Sequence, residues 1–301
     1  MDRQAKQNPT IDYFRIYSPT KLSLFEQCPA QFHFTYIHEI YSKMKNKLKA
    51  MPQNIWPFYT VGKSIHNAIT LFYHLPVDER TQDNLKKILK TVWISEVMWN
   101  KKPPLGKWGG FNSDDDERKA YIEALQMLMN FYKLDLINPP IYYLPTQDLK
   151  HSIEDYKDLI QPLDDKSEIS GKFDLILKNN DGTLHIIDFK TSKKEKVQEF
   201  QLRFYKTLAE LNFNLPVTKA TFMFLRTASL KEIDIQSLQT DSIKQEILNK
   251  IAVIKQTKEH NPKPSKLCKY CLFKTFCPAQ EEVQKFIQET GDTDIPDDLP
   301  F

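Results

Sequence analysis

The sequence predicts a mixed α/β fold, a β-sheet core flanked by helices with a helical insert ahead of the sheet. Three observations predict it. Up to about residue 138 apolar positions recur at helical spacing, and from about 140 short alternating runs take over. Between the third and fourth of those runs stands one amphipathic helix, the arrangement of a crossover between strands.

With 301 residues, 41% of them apolar, the chain can bury one substantial core or two smaller ones. No apolar run approaches bilayer length, and the start, MDRQAKQNPT, lacks the apolar stretch of a signal peptide, so a cytoplasmic location without membrane contact is expected. The net charge of +3 is unevenly spread: residues 281–301 carry −6 and the rest +9. Lysines gather at 43–49, 190–196 and 255–274, a local density that attracts polyphosphate, although such clusters are more often solvated surface.

In "SPTKLSLFEQCPAQFHFTYI" Ser18 caps a helix with Pro19 at its first position, and Pro29 ends it and opens another. Cys28 thus sits at a helix junction. "YTVGKSIHNAITLFYHL" aligns Ile65, Ile69 and Phe72 on one helical stripe, with His66 one step round from it. Two amphipathic helices follow over 78–138, the second opening after Ser113 with Asp114 to Asp116 in its first turn, and "KKPPLGKWGGF" joins them. The expected organisation is N-terminal helices over 1–77, a helical insert over 78–138, a sheet-bearing core over 139–260, a cysteine segment over 261–280, and a flexible, solvated acidic tail over 281–301.

Expected strands are "IYYL", "EISGKFDLIL", "LHIIDFKT", "ATFMFLRT" and "LKEIDI". The helix between the third and fourth, "EKVQEFQLRFYKTLAELNF", has Phe200, Phe204, Leu208 and Leu211 as its apolar stripe, and a last helix spans about 241–259. "ISGKFDLILKNNDGTLHIIDFKT" reads as a hairpin turning at Gly182. If the loop is Asn180, Asp181 and Gly182, then Asp174 lies opposite Asp188, close enough for both carboxylates to bind one hard cation. A two-residue Asp-Gly turn would point the two acids to opposite faces. Two carboxylates so crowded either hold a metal or share a proton. Lys190, two residues on, shares the face of Asp188 and could neutralise charge developing on a phosphate.

The four cysteines are Cys28, Cys268, Cys271 and Cys277, the last three in a C-x2-C-x5-C run whose spacing suggests a metal. Four thiolates would make a satisfactory Zn2+ site or hold an iron–sulfur cluster. Structural Zn sites usually use two local pairs, whereas Cys28 lies far from the other three.

These motifs together resemble the PD-(D/E)XK nuclease superfamily, in its RecB-like and AddB-like branch that includes the CRISPR-associated RecB-like exonucleases. The resembling pieces run in the family's order: "SPTKLSLFEQCPAQFHFTYI" with its Cys-Pro, "GKSIHNAI" as G-x-x-x-H, "GKFDLI" as G-x-x-D, "IIDFKT" as D-x-K-T, "QLRFY" as Q-x-x-x-Y, and "CKYCLFKTFCP". The resemblance implies a restriction-endonuclease-like sheet and Mg2+ or Mn2+ held by His66, Asp174, Asp188 and the Phe189 carbonyl. It implies Asp174, Asp188 and Lys190 as the catalytic set, Gln201 and Tyr205 as residues that position DNA, and a [4Fe-4S] cluster on Cys28, Cys268, Cys271 and Cys277 clasping the two ends of the chain.

The function so implied is a metal-dependent deoxyribonuclease, an exonuclease on single-stranded DNA ends, in repair, recombination or defence. The alternative is a noncatalytic DNA-end binding module of a larger complex, and a Zn-stapled structural protein is the blandest reading. The segment between His66 and Gly171 is long, closer to the RecB and AddB nuclease domains than to the compact CRISPR-associated members. With no G-x-x-x-x-G-K-[ST] loop in the sequence, an unwinding helicase would be a partner chain.

Overall fold

The computed structural model describes residues 15–49, 51, 54–95, 109–134, 136–145 and 159–290. Most of the loop expected at 101–111 and the last part of the acidic tail lie outside these residues. A five-stranded sheet has the order β2 (Ile141–Tyr143), β5 (Leu175–Lys178), β6 (Leu184–Lys190), β7 (Val217–Phe224), β8 (Ser229–Asp234). Its β6–β7 pair is parallel, joined by α7 (Glu199–Phe213), and its other pairs are antiparallel. A second, three-stranded sheet sets β4 (Ser167–Gly171) between β1 (Ile16–Tyr17) and β3 (Leu159–Asp164). The fold is thus mixed α/β with helices on both faces of the larger sheet.

Alternation along the strands divides the core in two. Ile186, Ala220, Phe222 and Phe224 face α7 and α8 (Thr240–Gln256), where Phe204, Leu208, Ile247 and Ile251 meet them. Leu175, Leu177, Ile187, Phe189 and Met223 face the opposite layer, built by α4 (Pro57–His74), α5 (Gln82–Ser95) and α6 (Asp114–Lys133). The segment read as an insert therefore covers a sheet face that would otherwise expose a row of apolar side chains.

Local signals behave as their chemistry demands. The Ser18 side chain accepts from Lys21 N–H at the start of α1 (Pro19–Gln27), and Cys28 both ends α1 and caps the short α2 (Pro29–Phe32). Ser113 caps α6 in the same way, with four acids in its first turn. A π-helical turn, His33–Ile37, leads into α3 (Glu39–Lys49), which carries the lysine run 43–49.

Three features depart from expectation. The first arm of the hairpin is not one strand: β4 ends at Gly171, and β5 starts at Leu175 in the other sheet. A Cβ on Gly171 would come within 2.9 Å of Leu208 and 3.0 Å of Tyr205, so α7 closes on the chain just where it leaves the first sheet. Strand β3 carries Pro162, which argues against a central strand, but β3 is an edge and tolerates it with a register shift. The acidic tail begins as a helix, α9 (Gln280–Glu289), docked by the buried Val283 and by Lys269 Nζ, which donates to the Thr290 carbonyl. Among the described residues no helix is long and apolar enough to cross a membrane.

Candidate active site

The hairpin register brings the acids together. Leu175 pairs with Ile187 and Lys178 with Leu184, the Asn179 amide closes on the Thr183 carbonyl at 2.8 Å, and Gly182 takes φ +84° in the turn. The loop therefore has odd length. Asp174 stands one residue before β5 begins, outside the paired residues, and extending the register by one step would set it opposite Asp188. Breaking the arm at Lys172–Asp174 frees Asp174 from ladder geometry, and its carboxylate reaches two partners. Oδ2 accepts the Phe189 main-chain N–H at 2.8 Å, and Oδ1 hydrogen-bonds His66 Nδ1 at 2.9 Å.

The site lies at the end of β6, between one helix from each layer. His66 comes from α4 on one side, while Gln201 and Tyr205 come from α7 on the other. Lys190 Nζ lies 2.8 Å from Asp188 Oδ2 and donates to Gln201 Oε1 at 3.1 Å, and Gln201 Nε2 reaches Asp188 Oδ1 at 3.4 Å. The ammonium also stands 5.0 Å from the centre of the Phe222 ring. Tyr205, one turn beyond Gln201, packs its ring 5.1 Å from Phe173, beside Gly171. The Phe189 side chain points the other way, into the core against Phe131 and beneath His66.

Electrostatics favour a cation here. Burial pushes the Asp188 carboxyl above the usual carboxylate range; the Lys190 ammonium opposes that rise and the Asp174 carboxylate adds to it. Asp188 Oδ2 is buried, with the Lys190 ammonium 2.8 Å away as its ion-pair partner. Burial works against the His66 imidazolium, but the adjoining Asp174 carboxylate and, more weakly, Asp188 outweigh it and raise its pKa. Two carboxylates and an imidazole suit a hard divalent ion. Even so, among the described residues no three His, Cys, Asp or Glu side chains converge tightly enough to hold one. The acids are engaged instead by His66, Phe189 N–H, Lys190 and Gln201.

All four cysteines are free and line one cavity, with Gln31 and Phe34 on its N-terminal side and Pro264 and Val283 on its C-terminal side. Burial, reinforced by the neighbouring thiols, pushes Cys271 up to about 12 and raises Cys268 too. Thiols so crowded and shielded suit coordination, since metal binding releases their protons. Glu168 of β4 pairs with Arg15 at 3.2 Å.

Sequence reasoning missed the polar residues that brace the cleft from outside. Asn130 is buried on the apolar face of α6, and Arg226 follows β7. A lone Asn among Met127, Leu128 and Phe131 was the available signal for the first.

The profile of the PD-(D/E)XK nuclease superfamily matches residues 16–278 of the chain. No curated protein matches it. A solved structure titled "Crystal structure of SSO0001" is similar with a TM-score of 0.37 and 14% identity, covering 92% of this chain and 90% of that one.

Proposed function

Because the chain belongs to the PD-(D/E)XK nuclease superfamily, we propose that it is a deoxyribonuclease that removes nucleotides from single-stranded DNA ends in the cytoplasm, in repair, recombination or defence. The observation that carries this reading is the meeting of Asp174, hydrogen-bonded to His66 and to the Phe189 N–H, with Asp188 and its ion-pair partner Lys190 at the end of β6. Asp174 and Asp188, with His66 and the Phe189 carbonyl, would hold Mg2+ or Mn2+. Such an ion supplies Lewis acidity towards the phosphodiester and lowers the pKa of water.

The chain's own residues would do the rest. Lys190, oriented by Asp188 and Gln201, neutralises charge developing on the phosphate oxygens. Gln201 and Tyr205 line the α7 side, where Tyr205 offers a ring to stack on a base of a single strand. Asp174, fixed by the Phe189 N–H, orients His66. Cys28, Cys268, Cys271 and Cys277 would hold a [4Fe-4S] cluster in preference to Zn2+. They line a common cavity, and Cys28 lies far along the chain from the other three, whereas structural Zn sites usually use two local pairs. A helicase or repair-complex chain would supply the single-stranded end.

One observation favours a second reading, a DNA-end binding module without cleavage: both acids are already engaged by protein donors. The purified protein assayed on end-labelled single-stranded DNA with Mn2+, beside Asp188→Ala and Lys190→Ala, separates the two. Cleavage lost in both variants supports the nuclease; salt-sensitive binding with no metal-dependent cleavage supports the module.

A further inference from the structure

The backbone that carries Lys190 is held from outside the cleft. Where β6 ends, the Lys190 carbonyl accepts Leu225 N–H at 2.9 Å, and the next carbonyl, that of Thr191, accepts Arg226 Nε at 2.8 Å. Arg226 Nη1 in turn meets Glu123 Oε2 of α6 at 2.9 Å. Two turns along the same face of α6, Asn130 donates through Nδ2 to the carbonyls of Leu225 at 2.8 Å and Arg226 at 3.1 Å. Its Oδ1 accepts from Gln126, so the amide's orientation is set on both sides. On the other flank, Gly62 of α4 lies so close that a Cβ there would stand 3.2 Å from Thr191 Oγ1. Gly62 is one turn ahead of His66.

From this we infer that Arg226 is a positioning residue for Lys190, with Asn130 as its anchor on α6. The inference rests on the reading of Lys190 as the residue that neutralises phosphate charge. Stability alone is a poor account of Arg226. Its ion pair with Glu123 is half open to solvent on the acid's side, and exposed pairs contribute little. What the guanidinium does is join two points, the carbonyl after the catalytic lysine and a helix on the far layer. Thr191 also faces α4 at Gly62, where a Cβ would crowd its Oγ1, so the tied strand end lies against the helix of His66. Small misplacement of a reacting group costs about 100-fold in rate.

The test compares wild type, Arg226→Ala, Arg226→Lys, Lys190→Ala and the Lys190→Ala/Arg226→Ala double variant on single-stranded DNA with Mn2+. Arg226→Ala should lower kcat by about 10–100-fold with KM changed less than about threefold. Arg226→Lys should recover part of the loss. In the Lys190→Ala background, Arg226→Ala should cost nothing further, because the lysine it positions is gone. Multiplicative losses would mean that Arg226 acts independently of Lys190, and the inference would fall. Hydrogen exchange supplies a readout that needs no activity: Arg226→Ala should speed exchange at 189–192 and at the Leu225 amide while leaving β8 unchanged. Unaltered exchange there overturns the clamp even if the wild type cleaves. A wild type without cleavage overturns the nuclease reading, and exchange then still decides the clamp.

Discussion

Asp174 Oδ2 accepts the Phe189 main-chain N–H at 2.8 Å, which fastens the carboxylate to the next strand beside Asp188. With its other oxygen on His66, Asp174 is the hinge between β6 and α4. Asp174→Asn keeps an oxygen for the amide but removes the charge. Metal-dependent cleavage should fall by more than the ~100-fold seen when an outer-shell partner is lost, with the fold intact. In metal-free protein the His66 pKa stands above its ordinary 6.5 because Asp174 outweighs burial. With the charge removed, burial dominates and the pKa should drop below the wild-type value, as followed by the imidazole proton resonances. A His66 titration unchanged by the substitution would contradict the pairing.

Lys190 is held by three neighbours, Asp188, Gln201 and the Phe222 face. Lys190→Ala should lower kcat by about 10²–10³-fold, the range for losing one group that stabilises transition-state charge. KM for DNA should move far less, since the ammonium is spent on the acid in the resting site. A rise in KM with kcat unchanged would make Lys190 a binding residue only.

The hairpin was legible in the sequence, but its parity was not: Gly182 suits a two- or a three-residue turn, and only the closure of Asn179 on Thr183 gives the odd loop that decides which strand face each acid takes. The break at Lys172–Asp174 was not legible. It depends on Tyr205 and Leu208 crowding Gly171 from α7, a contact between residues more than thirty apart in the chain. Val283 gave no warning of α9 because acidic neighbours dominate that stretch, while its docking depends on Lys269. Arg226 escaped notice for a similar reason: its partners, Thr191 and Glu123, come from a strand end and a distant helix. The cysteine set was readable as a motif, since only four exist in the chain, yet their meeting in one cavity is a property of the fold.

Metal occupancy of that cavity should govern the stability of the whole. Anaerobic preparation should yield a brown protein with visible absorption and about four irons per chain. Cys271→Ser should bleach it and lower Tm, because it removes one thiolate of the set whose metal binding is coupled to folding. A colourless anaerobic preparation with one zinc per chain would replace the cluster with Zn2+.

Beside the cysteine segment, the His33 and His260 rings lie 4.7 Å apart at a tilt of 35°, with His33 Nδ1 and His260 Nε2 buried and unpartnered. Burial lowers both pKa values from 6.5, and His33 is lowered further by repulsion from His260 and His38. The folded state therefore prefers neutral rings, and the unfolded chain binds more protons as pH falls past 6.5. Stability is fully present above that value and declines through the window down to the lowered folded pKa values, below which the loss levels off. Thermal melts of metal-free protein from pH 8 to pH 5 should show Tm falling on the acid side. The His33→Gln/His260→Gln variant should flatten that fall. The same slope in the variant would assign the acid sensitivity to other groups, among them His185, whose pKa burial also lowers.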